Sequence, residues 1–109
     1  MATLADFIFF DSTSTTTTSN NFSLPYGTET VSVQVDGVSA NVSIEGTTEL
    51  DGNGEWYPLT AVNNDGYSAV QNIVSAGIYS VSGEGIRMMR AKNAGVAGSV
   101  KVHAVAVGH

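Results

Sequence analysis

The chain of 109 residues contains no cysteine, which excludes disulfide staples, thiolate metal sites and cysteine nucleophiles together. It is nearly as poor in positive charge, with 4 Lys and Arg against 10 Asp and Glu and a net charge of −6. Residues 1–83 carry no Lys or Arg, and all four cations (Arg87, Arg90, Lys92, Lys101) fall in the last 26 positions. A protein that binds nucleic acid by neutralising phosphates needs a basic surface, so nucleic acid is not an expected partner. A polybasic membrane anchor is excluded on the same ground. No apolar run reaches the ~18 residues of a transmembrane helix, so no membrane span is expected. The opening Met1-Ala-Thr-Leu-Ala-Asp6 has no positive segment and meets an acid at once, which argues against a secretory signal.

Helix-forming residues are scarce as well. Leu, Lys, Gln and Arg are few, whereas Val, Ser, Thr and Gly dominate, with 14 valines among 42% hydrophobic residues. That apolar content is enough to build a core, which excludes a disordered chain. The apolar residues recur with period two, the signature of half-buried strands. Val31, Val33 and Val35 alternate with Ser32 and Gln34, Val42 and Ile44 with Ser43 and Glu45, and Val100 and Val102 with Lys101 and His103. Turn signals punctuate these runs: Asp36-Gly37, Glu45-Gly46, Asp51-Gly-Asn-Gly54, Asn63-Asn-Asp-Gly66, Ser82-Gly-Glu-Gly85 and Asn93-Ala-Gly95. Strands are expected at 4–10, 22–24, 29–36, 40–46, 55–61, 67–74, 77–82, 86–92 and 98–107. The expected fold class is all-β: an antiparallel β-sandwich, jelly-roll-like, of about eight short strands.

One segment is of low complexity, Asp11-Ser-Thr-Ser-Thr-Thr-Thr-Thr-Ser-Asn-Asn21. It separates an apolar head (Phe7, Ile8, Phe9, Phe10) from the rest, dividing the chain into an N-terminal arm and Ser/Thr-rich loop at 1–21 and a sandwich domain at 22–109. Two readings of the head are open: a first strand of the same sandwich, or an extended arm that adds a strand to a neighbouring subunit or lattice. Three of the four phenylalanines sit in it, so it buries a large apolar area wherever it docks.

The motifs of catalysis and cofactor binding fail on inspection. There is no Gly-x-Ser-x-Gly elbow, His-Glu-x-x-His pair or Walker loop, and Ser82-Gly-Glu-Gly85 lacks the spacing of a dinucleotide fingerprint. The Asp51–Glu55 turn alternates oxygen ligands as calcium loops do, but Trp56 and Val62 stand where an EF-hand needs Gly and a bidentate Glu. His103 is a lone strand histidine and His109 is the terminus, so no metal set converges. No catalytic residue, cofactor or metal is expected. Trp56-Tyr57 is the conspicuous aromatic pair. Successive strand side chains face opposite ways, so one ring, Trp56, is expected in the core and the other outside. The functional alternative makes Trp56 and Tyr57 a stacking platform for a glycan beside the polar 51–55 loop. On the late strand, Arg87, Met89 and Ala91 share one face and Met88, Arg90 and Lys92 the other, so neither face is cleanly apolar. That pattern fits a strand covered by another chain or a solvated edge. Ion pairs are expected between Arg87, Arg90, Lys92 or Lys101 and acids of another subunit, with Asp51, Glu55 and Asp65 as candidate partners.

The ordered series of these blocks resembles a known family. A strand ending at Asp36-Gly37 is followed by Val42-Ser-Ile-Glu45-Gly46, an Asp51-Gly52 turn and Glu55-Trp-Tyr-Pro-Leu59. Gly77-Ile-Tyr79, Gly85-Ile-Arg87 with Arg90, and Gly98-Ser-Val-Lys-Val102 complete it. Over residues 28–107 this resembles a small β-sandwich of structural proteins of tailed bacteriophages, including capsid decoration proteins, head fibres and tail components. Thr47-Thr-Glu-Leu50 and Met88-Met89 depart from the family pattern. The resemblance implies a non-enzymatic virion protein, foremost a capsid decoration (cement) protein. Such a protein would form a homotrimer, bind the major capsid protein on the outer capsid surface, and be made in the host cytoplasm. Phe7, Ile8, Phe9 and Phe10 with Arg87, Arg90, Lys92 and Lys101 are then the expected subunit or capsid contacts. The alternative is a receptor- or carbohydrate-binding module of a tail fibre.

Overall fold

The computed structural model describes residues 2–13, 15–37, 40–49 and 52–108. The valine alternation does what its period predicts. The ten strands of the described residues are β1 (Ala2–Asp11), β2 (Phe22–Ser23), β3 (Thr28–Gly37), β4 (Val42–Thr47), β5 (Tyr57–Pro58), β6 (Ala61–Asn63), β7 (Ala69–Val70), β8 (Gly77–Ser82), β9 (Met88–Asn93) and β10 (Val100–Gly108). They form two antiparallel sheets, one of six strands in the order β1-β10-β3-β8-β6-β7 and one of four in the order β2-β9-β4-β5. The described residues include no helix.

The core lies between the two sheets. The central pair β3–β10 aligns Val35 with Val102, Val33 with Ala104 and Val31 with Ala106, and all six are fully buried. Facing them from the four-stranded sheet are Val42, Ile44, Met89 and Ala91. At the end of β3, Gly37 has φ of 129°, and a Cβ there would collide with the Ser99 carbonyl, so this close approach to the start of β10 requires glycine.

The N-terminal head is an edge strand of this sandwich, the first of the two readings, and its phase is set by a β-bulge. Ile8 pairs with His103 and Phe10 with Val102, leaving Phe9 as the extra residue. Strict alternation would bury Phe7 and Phe9 and expose Phe10. The bulge turns Phe10 inward as well, so Phe9 and Phe10 are both buried in their own chain's core. The Phe7 and Phe9 rings meet Phe22 of β2 at centroid distances of 4.9 and 6.2 Å, joining one sheet to the other. The head is thus a strand of its own sandwich rather than an extended arm: three of its four apolar side chains pack within the chain, because their burial against β2 and β10 is available locally.

The Ser/Thr-rich segment is structured too. It crosses to the four-stranded sheet and runs along the edge of β9, where Ser19 N–H donates to the Ala91 carbonyl and Asn93 N–H to the Thr17 carbonyl. The buried Ser19 hydroxyl accepts from Ala91 N–H at 2.8 Å and donates to the Asn20 carbonyl at 2.9 Å. The strand expected at 55–61 divides between the sheets. Tyr57–Pro58 pairs with β4, and Ala61–Asn63 pairs with β8. Pro58 has no N–H to give to a ladder, Leu59 N–H still donates to the Ile44 carbonyl of β4 at 2.8 Å, and the chain then crosses to the other sheet at Ala61. Of the strand expected at 67–74, only Ala69–Val70 forms, with buried Ile73 bridged to Val42 by two backbone hydrogen bonds of 2.7 and 2.9 Å.

Phe10→Ala is expected to lower the free energy of unfolding by about 3–5 kcal/mol, measured in urea. Ile8→Ala, two residues away on the outer face, should change it by no more than about 0.5 kcal/mol. Equal effects at the two positions would contradict the bulge.

Candidate functional site

The outer face of the four-stranded sheet brings together three of the residues singled out above, Arg90, Lys92 and Trp56. Register places Glu45 opposite Arg90, Ser43 opposite Lys92 and Thr47 opposite Met88. Alternation sends Met89 and Ala91 into the core and Arg90 and Lys92 outward. Arg87 stands before the strand begins, so the mixed face expected for Arg87, Met89 and Ala91 does not arise.

The Arg90 Nε donates to Glu45 Oε1 at 2.8 Å, and Lys92 Nζ lies 3.9 Å from Glu45 Oε2. Only 23% of the Arg90 side chain and 14% of the Glu45 side chain reach solvent, so the pair is partly desolvated and its attraction less screened than on an open surface. The Arg90 guanidinium carbon sits 4.3 Å from the Trp56 ring centroid, a cation–π contact. Trp56 is fixed in turn by its indole N–H, which donates to the Gly52 carbonyl at 3.1 Å. The loop from Gly52 to Trp56 thus folds back over the sheet, with Gly52 close to Met88. Trp56, expected in the core, is half-buried on this outer face instead. The interior between the sheets is filled by aliphatic side chains, Met89, Tyr79 and phenylalanines, and the guanidinium offers the indole a partner outside.

Tyr57 points to the other side, next to Gly46, and the two rings make no joint platform. It is 61% exposed and borders an open groove of about 380 Å³ with Glu49, Glu55, Leu59 and Ile86. A Cβ at Gly46 would press on Leu59 and Ile86 at 2.8 and 3.0 Å, so glycine lets these two form the groove floor. The Tyr57 hydroxyl donates to Glu55 Oε2 at 2.7 Å, and this bond to the carboxylate holds the phenol above the usual tyrosine range.

The remaining expected contacts are scattered. Ile8, 55% exposed, begins a row that crosses four strands on the outer face of the six-stranded sheet: Ile8, His103, Gln34 and Ile78. A shallow depression of about 350 Å³ lies on this row, lined by Ser32, Gln34, Ile78, His103 and Val105. Sequence reasoning missed it, although the signal was present in the outward phase of strands whose inward phase was plain. Lys101 stands in register between Asp11 and Asp36. Arg87 is exposed, and among the described residues no carboxylate lies within 4.0 Å of it. Among the described residues the acid that pairs with Arg90 and Lys92 is Glu45 of the same chain. Glu55 is bonded to Tyr57, Asp65 lies in the β6–β7 turn, and Asp51 falls outside the described residues, as does His109. Among the described residues no three His, Asp or Glu side chains come together as a metal set.

The class defined by this architecture is a two-sheet antiparallel sandwich with charged and aromatic surfaces at one sheet and two exposed isoleucines in a mixed row on the other. The structure is similar to the SPBc2 prophage-derived protein YomS, with a TM-score of 0.77 and 18% identity over 94% of this chain and 90% of that one. It is also similar to the PBSX exported protein XepA, with a TM-score of 0.80 and 16% identity over 94% of this chain and 37% of that one. At such identities the likeness shows a shared fold. No family model and no curated protein sequence matches the chain.

Two outcomes test the site. Glu45→Ala leaves Arg90 and Lys92 without their shared carboxylate and is expected to cost about 1.5–3 kcal/mol of stability, with a shift in Trp56 fluorescence as the guanidinium is released. In a spectrophotometric titration, Glu55→Gln is expected to lower the ionisation midpoint of Tyr57 toward the ordinary tyrosine value, with Tyr57→Phe identifying which transition is its own. The shift is upward in the folded state, so its contribution is complete below the ordinary tyrosine pKa and fades as pH rises through the raised one.

Proposed function

We propose that this chain is a non-enzymatic structural protein of a bacteriophage particle, a capsid decoration protein that binds the assembled capsid as a homo-oligomer and stabilises it. The observation that carries the reading is the fold shared along 94% of the chain with YomS, a protein whose name marks it as prophage-derived. The order of the Glu-Gly, Asp-Gly, Trp-Tyr-Pro-Leu and Gly-Ile-Arg blocks supports it. So does the outer row Ile8–His103–Gln34–Ile78, which exposes two isoleucines on either side of a polar centre, as surfaces that dock against another protein do.

The proposed mechanism is linkage. A protein that binds only the assembled lattice shifts the equilibrium toward assembly by mass action. Several copies joined in one oligomer hold neighbouring capsomers with an effective affinity above that of any single contact. A glycan-binding tail module has less support, because Trp56 and Tyr57 stand on opposite sides of their sheet and the Trp56 ring is engaged by Arg90.

The test is to separate phage heads from tails on a gradient and probe each fraction for this chain. It is expected with the heads. Recovery with tails alone supports the tail-module reading, and absence from both overturns the proposal. Ile78→Asp is expected to weaken binding to decoration-free capsids about tenfold or more while leaving the unfolding midpoint unchanged, measured by cosedimentation.

A further inference from the structure

The chain has two arginines, and the structure gives them opposite fates. Arg90 is held by a carboxylate on one side and an aromatic ring on the other, Glu45 and Trp56. The open groove beside β5 presents the same two elements without a cation. Glu55 and Glu49 supply carboxylates, the exposed Tyr57 ring supplies a π-face, and Leu59 and Ile86 supply an apolar floor. Among the described residues no Lys or Arg pairs with either glutamate. Arg87 is the reverse case, a guanidinium with no carboxylate within 4.0 Å among the described residues.

Arg87 borders a second groove, of about 290 Å³, with the fully exposed Tyr26 and with Leu24 at its wall. The two grooves adjoin, because Ile86 lines both. Successive residues Ile86 and Arg87 direct their side chains differently, and Arg87 N–H is tied to the Thr47 carbonyl at 2.8 Å. The guanidinium is thus kept out of its own chain's acidic groove. Tyrosine and arginine over a half-buried aliphatic floor is the composition of an interface core.

We infer that a second copy of this chain docks here, inserting its Arg87 between Glu55, Glu49 and the Tyr57 ring. Charge complementarity selects the occupant. The groove suits a guanidinium that can stack and donate to two carboxylates, which a lysine fits poorly, and Arg87 is the arginine without an ion pair among the described residues. Donor and acceptor lie on one chain, so the contact either closes reciprocally about a two-fold axis or repeats head to tail around a ring. The inference rests on the reading of this chain as an assembly protein, and it gives that reading its subunit contact.

The test reads mass in solution and involves no capsid. Sedimentation velocity of the purified full chain is expected to show an oligomer. Arg87→Glu should weaken association about tenfold or more, and Arg87→Lys should weaken it less, with circular dichroism confirming the fold of each. Arg87→Glu combined with Glu49→Arg and Glu55→Arg should recover association, which a merely misfolded variant could not do. If Arg87→Glu disturbs folding, Tyr57→Ala, which removes the ring at an exposed position, reads the same contact. A wild-type chain that stays monomeric at high concentration overturns the inference, as does an oligomer that both Arg87→Glu and Tyr57→Ala leave intact. An oligomer of the expected kind that ignores capsids would sink the decoration reading and leave this contact standing.

Discussion

The register between β3 and β10 is the constraint on which the rest depends. Side chains alternate with period two, so a slip of one residue would exchange the two faces of the central pair. In the observed register, Val31, Val33, Val35, Val102, Ala104 and Ala106 form one buried surface, and Gln34, His103, Asp36 and Lys101 are sent outward. Gly37 closes one end, where only a residue without a Cβ lets β3 approach Ser99. The core, the outer row and the register position of Lys101 between Asp11 and Asp36 follow from that one alignment together with that of β1.

Around this pair the chain adjusts its phase to match. The bulge at Phe9 is such an adjustment, placing Phe9 and Phe10 inside while Ile8 remains in the outer row. The Phe7–Phe9–Phe22 cluster then ties the edge of one sheet to the edge of the other. The same logic applies on the smaller sheet. Glu45 is aligned with Arg90 by the β4–β9 ladder, and once that pair exists, Trp56 finds its partner outside the core. The two aromatic residues of one dipeptide end on opposite sides of a sheet, one engaged and one exposed, and that difference separates the occupied arginine site from the open groove.

Much of this was legible in the residues. The all-β class, antiparallel pairing, and the strands at 29–36, 77–82 and 98–107 follow from alternation and turn residues, which are local signals. The Ser/Thr-rich segment was legible as low complexity but not as structure, because its hydrogen bonds to Ala91 and Asn93 join residues far apart in sequence. The strand at 55–61 read as one element because its apolar and aromatic residues are continuous. Its division between two sheets depends on which partner strand each half reaches. Of the candidate site, Arg87, Arg90, Trp56 and Tyr57 were identified by type, whereas Glu45, Glu49 and the floor residues Leu59 and Ile86 were not.

The sequence by itself determined which segments become strands and which of their residues are apolar, since both are properties of neighbours along the chain. It also determined the segregation of all four cations into the last 26 positions. Only the tertiary structure decided what those cations meet. Arg90 finds Glu45 across 45 residues of sequence because two strands align, and Arg87, which precedes its strand, finds no ion pair among the described residues. The physical reason is that alternation is set by the backbone of each strand alone. Ion pairing and stacking are set by which strands lie side by side, and that is fixed by burial of the whole core.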